Sequence, residues 1–272
     1  GGPAWYMARG LGMRWMGVLF SLFLLLAYGL IFNTVQANSV AHAMRYAFSC
    51  PEWLAGLALA SIVLLTISFG LKGIARLMQW LVPIMALLWV AASLFVAALH
   101  LDQVPGVLAT IVKSAFGWRE VASGALGYTF SQALMAGFQR GMFSNEAGMG
   151  STPNAAAAAS SWPPHPAAQG IVQMIGVFTD TIIICSASAM ILLLAGPVPH
   201  ASGTVGIKLL QQALVTLTGG WGAGFVSLIL ILFAFSSIVV NYLYAENNLI
   251  FLKLDSRAAI GTLRLGVILM VV

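Results

Sequence analysis

Four groups of oxygen- and amide-bearing side chains interrupt an otherwise oily chain. Residues 140–160 read RGMFSNEAGMGSTPNAAAAAS, which sets Arg140, Asn145 and Glu146 beside Gly141, Gly148, Gly150 and Pro153. Glycine admits backbone conformations that other residues resist. Proline donates no helical hydrogen bond but suits the first turn of a new helix. The stretch therefore reads as a helix, a break at about 144–150, and a second helix capped by Ser151 or Thr152 with residues 154–159 as its body. A helix broken at membrane depth leaves carbonyls that can bind cations and N–H groups that can bind carboxylates. Such a break is tolerated inside protein or beside a water-filled cavity. A cytoplasmic loop followed by an Ala-rich surface helix uses the same residue types, and these types alone weigh the two readings equally.

The second group lies in FAFSSIVVNYLYAENN, where Asn241 follows Ser236 and Ser237 by one helical turn. Serine hydroxyls can ligate sodium, a hard cation. Their commoner role in membranes is a hydrogen bond to the preceding turn or to a neighbouring helix. The third is IFNTVQANS, whose Asn33, Gln36 and Asn38 either face a cavity or mark a helix end. The fourth is FTDTIIIC, with Asp180 near mid-span. An ionised Asp there costs about 2.5–3.5 kcal/mol, which makes it a functional candidate; the alternative is a protonated or paired Asp, with Arg140 as partner. Glu146 is read as a structural carboxylate. His42, His100, His165 and His200 fall at span ends or loops without metal-ligand spacing. Cys50 and Cys185 show none either. There is no H-E-x-x-H, P-loop or G-x-S-x-G, so neither an enzyme nor an enzyme cofactor is expected.

These groups sit in elements that lipid must solvate. The chain is 60% hydrophobic and 7% charged, against about 25% charged in soluble domains. The net charge of +5 comes from scattered basic residues, which form no stripe for nucleic acid. Continuous apolar runs argue for helices, because a β-barrel would show short alternating segments. The expected spans are Trp15–Gln36, Trp53–Phe69, Leu77–Leu99, Ser123–Phe143 with its break and continuation, Gly170–Leu194, Trp221–Tyr244, and a last one from Ala259. The fold class is thus an all-α membrane protein with about seven transmembrane helices. Residues 104–118 and 204–219 read as helices lying flat on the membrane, with Lys113, Lys208, Gln211 and Gln212 off their apolar sides. A cytoplasmic N-terminal loop puts Arg9, Arg14, Lys72, Arg76, Lys253 and Arg257 inside, as the positive-inside rule prefers. The first residue is Gly1 and the last run is still apolar, as expected of an internal piece of a longer membrane protein.

RGMFSNEAGMGSTPNAAAAA resembles the signature of the alanine or glycine:cation symporter family, the bacterial sodium:alanine symporters. GGPAWY, QANS, GVFTDTIIIC and FAFSSIVVNYLYAENNL match in order along nearly the whole chain. The resemblance implies a leucine-transporter-type inverted-repeat helical bundle in the bacterial plasma membrane. Residues of about 15–99 would end repeat one, and about 121–272 would form most of repeat two. It implies sodium-coupled uptake of a small neutral amino acid such as alanine or glycine, with sodium as the co-transported ion. Proton coupling through Asp180 or Glu146, or a non-transporting sensor on the same fold, are the alternatives. The resemblance implies that Phe143 gates the substrate, Ser144 and Asn145 contact substrate and sodium, Gly148 lets the backbone approach, and Met149 limits pocket size. Gln36 and Asn241 would border the substrate, Ser236 and Ser237 would join a sodium site, and Arg140 and Glu146 would hold the break. Asn241 stands where some members have Trp. The other broken helix would precede Gly1, so this stretch would hold roughly half a site and should not transport by itself.

Overall fold

The structure, a computed structural model, describes residues 1–115, 135, 149–196 and 206–272. Regular structure among the described residues is helical throughout. Helix α1 (Pro3–Arg9) leads into α2 (Arg14–Leu26), which passes through a π turn (Ala27–Ile31) into α3 (Phe32–Phe48). Helices α4 (Glu52–Ile67), α5 (Gly70–Leu99) and α6 (Val104–Ala115) follow. The later elements are α7 (Ser151–Ala158), α8 (Pro166–Phe178), a second π turn (Thr179–Ile184), α9 (Cys185–Leu194), α10 (Ile207–Thr218), α11 (Trp221–Phe251) and α12 (Arg257–Val271).

Among the described residues, four helical stretches are long and apolar enough to cross a membrane: Arg14–Phe48, Gly70–Leu99, Pro166–Leu194 and Trp221–Phe251. The expected span at Trp53 is the apolar helix α4, whose 16 residues fall short of the ~20 that cross hydrocarbon unaided. The last expected span is α12, with 15 residues. The span at Ser123–Phe143 lies outside the described residues. Large apolar side chains point outward along these helices: Leu65, Leu87 and Leu94 are 65%, 69% and 66% exposed. A water-soluble fold would bury such residues; on the outside of a membrane-spanning bundle they suit lipid.

The first span runs further than its sequence suggests. Asn33, Gln36 and Asn38 do not mark a helix end, because the helix continues to Phe48. Asn33 is accommodated by the π turn just before it, where one extra residue shifts the backbone bonding and frees the carbonyls of Tyr28 and Gly29 for its side chain.

Helices α2–α3 and α11 form the spine. Gly29 lies against Ala245, Asn33 bonds Asn241, Ser227 bonds Ala43, and Gly224 lies against Phe48. Rising numbers on one helix meet falling numbers on the other, so the two run antiparallel with a register maintained over most of their length. One apolar core sits around this spine and α4, with Val40, Val63, Ile238, Val239 and Tyr242 almost fully buried. A second joins α5, α9, α10 and α11 around Trp89, Val96, Ile191, Leu214 and Val226.

Helix α10 departs from its sequence reading as a flat amphipathic surface helix. Gln211 is completely buried, not on a polar outer face. Its Nε2 donates to Ser227 Oγ at 2.9 Å and to Ala43 O at 3.1 Å. One polar side chain therefore pins α10 onto the spine, and apolar periodicity counts such a residue on the wrong side.

Candidate substrate and cation site

The middle of the spine holds the polar groups. Asn241 Nδ2 on α11 donates to Asn33 Oδ1 at 3.0 Å. Asn33 Nδ2 donates in turn to Tyr28 O at 2.9 Å and Gly29 O at 3.1 Å, both within the first π turn. Asn33 is fully buried and Asn241 nearly so. The π turn presents carbonyls that Asn33 gathers, and Asn241 completes the set. One of the two amide hydrogens of Asn241 is thereby committed to Asn33.

The helical repeat brings three other expected residues to this level. Gln36 follows Asn33 by one turn on α3, and Ser237 precedes Asn241 by one turn on α11. The antiparallel register carries Gln36 and Ala37 to the height of Ser237 and Ile238. Gln36 and Ser237 are half-buried. Ser236 turns away from α3, is buried, and donates from Oγ to Phe233 O at 2.9 Å. Its other neighbour is Met85 Sδ on α5, 3.9 Å away. A hydroxyl that gives its hydrogen to a carbonyl keeps its lone pairs, which are what a hard cation requires. The local hydrogen bond and the cation-ligating reading are thus compatible at Ser236. No cluster of three or more His, Cys, Asp or Glu occurs among the described residues. The polar side chains described at this level are neutral amides and hydroxyls.

A sequence model of the sodium:alanine symporter family matches residues 1–272. The chain belongs to the sodium:alanine symporter family. Three relatives bear this out. "Uncharacterized transporter YaaJ" of Escherichia coli (strain K12) is 63% identical over 97% of this chain and 56% of its own length. "Probable sodium/glutamine symporter GlnT" of Bacillus subtilis (strain 168) is 44% identical over 100% of this chain and 55% of its own. "Amino-acid carrier protein AlsT" of the same organism is also 44% identical, over 100% and 56%. The chain spans about half the length of these relatives.

Other residues expected to matter in this symporter-family chain are spread more widely. Arg140, Phe143, Ser144, Asn145, Glu146 and Gly148 lie outside the described residues. Met149 is half-buried in a short turn just before Gly150. Gly150 itself, at φ 87°, is the residue that starts α7. Neither Ser151 nor Thr152 caps that helix: both are inside it, and left-handed backbone that glycine supplies makes the entry instead. Asp180 is the second residue of the second π turn and is half-buried. It stands on a different helix from the Asn33–Asn241 pair.

The structure adds residues that the sequence reading passed over. Asn154 was counted only as helix body, yet it is buried and bonds Asn247 and Asn248 of α11. Asn247 and Asn248 fall inside a stretch that carried the family resemblance. Their pairing partner, 93 residues away, has no periodic signature that could announce it.

Proposed function

We propose that the whole protein is a sodium-coupled symporter that takes up a small neutral amino acid by alternating access. The observation that supports this is the buried Asn33–Asn241 bond at mid-spine; Gln36 and Ser237 lie one turn along the same helices, and Ser236 is buried beside α5. Polar groups at such depth are costly unless they serve a ligand or one another. Neutral oxygens suit sodium and the ammonium and carboxylate of an amino acid. The family is named for sodium and alanine, while one relative is named for sodium and glutamine. Alanine or glycine is our reading for this chain, because Met149 beside the break would leave room for a short side chain.

The reading extends to architecture. Residues of about 15–99 and 121–272 would belong to two inverted repeats of a leucine-transporter-type bundle with about seven membrane crossings in this chain. The break at 144–150 would face the spine, and Phe143, Ser144, Asn145 and Gly148 would meet substrate and sodium there. Arg140 and Glu146 would hold the break, and Asp180 would support coupling. The basic residues Arg9, Arg14, Lys253 and Arg257 gather at one end, where Trp5 of α1 packs edge-on against Phe251 of α11 at 5.3 Å. That end would be cytoplasmic in a bacterial plasma membrane. Moving one sodium inward releases about 2.3 kcal/mol per 100 mV, enough with its gradient to drive uphill uptake.

Binding linkage tests the pairing of solutes. Sodium and amino acid that share a site must each raise the affinity of the other by the same factor. Purified whole protein should bind labelled alanine more tightly in sodium chloride than in choline chloride at fixed pH. Equal binding in both salts would remove sodium from the site and leave proton coupling as the surviving reading.

A further inference from the structure

A second polar cluster lies toward the basic end of the spine. Asn154 Oδ1 on α7 accepts from Asn247 Nδ2 at 3.0 Å and from Asn248 Nδ2 at 3.5 Å. Asn154 Nδ2 donates back to Gly150 O at 2.9 Å. Asn247 Nδ2 also donates to Gly1 O at 2.6 Å, just before α1. Asn248 Oδ1 accepts from Ser21 Oγ on α2 at 2.9 Å. Ser21 and Asn248 are essentially inaccessible. Backbone approach is equally tight. A Cβ on Gly2 would overlap the Asn154 amide, and one on Gly150 would come within 2.8 Å of the Phe20 ring. Four helices, α1, α2, α7 and α11, thus meet at one small knot of neutral amides, a hydroxyl and glycines.

The knot differs in kind from the core beside it. The residues that α7 buries are Ser151 and Asn154, and the rest of the helix is Thr152, Pro153 and four alanines, so α7 itself carries no large apolar side chain into the contact. Undocking α7 exchanges amide–amide for amide–water hydrogen bonds, a nearly balanced trade. Separating α3 from α11 would instead expose Val40, Ile238, Val239 and Tyr242. The contacts described for the knot are made by neutral amides, a hydroxyl and backbone carbonyls. Elements with few buried apolar contacts are the ones that open at low cost.

We infer that Asn154, with Asn247, Asn248 and Ser21, forms a releasable latch. Closed, it holds the helix that follows the break against α11 and the α1–α2 corner and seals that end of the bundle. Open, it lets α7 swing out so that solute leaves toward that end. The inference rests on the transport reading above, in which α7 continues the broken segment and this end faces the cytoplasm.

The test uses the whole protein in a cysteine-free background carrying Ser21→Cys. N-ethylmaleimide labelling is followed at rest and during turnover with alanine and sodium, and uptake by proteoliposomes is measured alongside. Expected is slow labelling at rest, several-fold faster labelling during turnover, and several-fold faster labelling at rest once Asn154→Ala is added. Asn247→Ala, on a less buried residue, serves as the second variant and should act in the same direction. Unchanged labelling in both variants overturns the latch. Sodium-driven uptake without any response of Ser21→Cys to turnover also overturns it, and leaves the transport reading intact. Absence of uptake in every background instead counts against the transport reading itself, and a cluster that then responds only to the substitutions holds α7 without gating anything.

Discussion

Asn241 donates to Asn33 across 3.0 Å, and so joins the two longest-paired helices of the bundle at mid-length. The bond is buried, and Asn33 is also the donor to two carbonyls of the π turn. Removing Asn241 strands an acceptor where water does not compete. Asn241→Ala should lower the stability of the detergent-solubilised protein by roughly 1–3 kcal/mol, the usual cost of a buried unsatisfied group. Asn33→Ala combined with Asn241→Ala should cost less than the two single changes added together, because they share one bond. Thermal unfolding of the four variants measures the coupling; strict additivity would mean the bond contributes nothing.

Two glycines with left-handed backbone separate strain from crowding. Gly12, at φ 68°, has open space where a Cβ would go. Gly150, at φ 87°, would place its Cβ 2.8 Å from the Phe20 ring. Gly12→Ala should cost about 1–2 kcal/mol, the ordinary left-handed penalty. Gly150→Ala should cost more, since Phe20 must also move, and it should weaken the docking of α7. Melting temperatures of the pair decide this, and equal losses would contradict the close approach.

Gln211 and Ser227 serve the same carbonyl. Gln211 Nε2 donates to Ala43 O at 3.1 Å, and the single Ser227 hydroxyl hydrogen is shared between Ala43 O at 3.1 Å and Ala223 O at 2.9 Å. Gln211 Oε1, meanwhile, is buried without a partner among the described residues. Gln211→Met should therefore be nearly neutral in stability, because the Ser227 hydroxyl is still within reach of Ala43 O and one orphaned oxygen disappears. Adding Ser227→Ala should reveal a loss near the ~0.6–1.7 kcal/mol measured for hydrogen bonds between membrane helices. The readout is again thermal unfolding; a large loss from Gln211→Met alone would show that the glutamine cannot be replaced.

Glu52 gives a pH signature at the opposite end of the bundle from the asparagine knot. The hydrogen bond from Arg45 Nη1, at 2.9 Å, holds its carboxyl below the ordinary value of 4.5, and the charge of a protonated His42 adds to this. A depressed carboxyl contributes stability above its unfolded pKa and loses it as pH falls through the folded one. The loss therefore lies below pH 4.5, and neutral pH leaves the pair intact. Arg45→Ala should move the Glu52 titration up toward that ordinary value, as carboxyl carbon shifts would show, with little change in stability because the pair is exposed.

Much of this was legible in the sequence, for a physical reason. Lipid demands long apolar helices, so the runs at Trp15, Leu77, Gly170 and Trp221 stood out from composition alone. Asn33, Ser236 and Asn241 were visible because polar residues are rare in such runs. Their pairing was not visible, since it depends on the register of two helices 208 residues apart. The π turn at Ala27–Ile31 left no mark either, and so the polar stretch after it stayed open between a cavity-facing segment and a helix end. Gln211 misled in the opposite sense, because a glutamine on an amphipathic helix reads as outward-facing until its partners on α3 and α11 are known. The knot around Asn154 lay inside the quoted motifs, but side chains that bond one another across the fold carry no local pattern.

The central claim is coupling of an amino acid to sodium, and concentrative uptake tests it most directly. Proteoliposomes holding the whole protein would be given labelled alanine with an inward sodium gradient, equal pH on both sides and the membrane potential clamped to zero. The account predicts that alanine accumulates above its external concentration and drains when the sodium gradient is collapsed. Accumulation that persists with choline in place of sodium, or alanine that only equilibrates while the gradient stands, would contradict it.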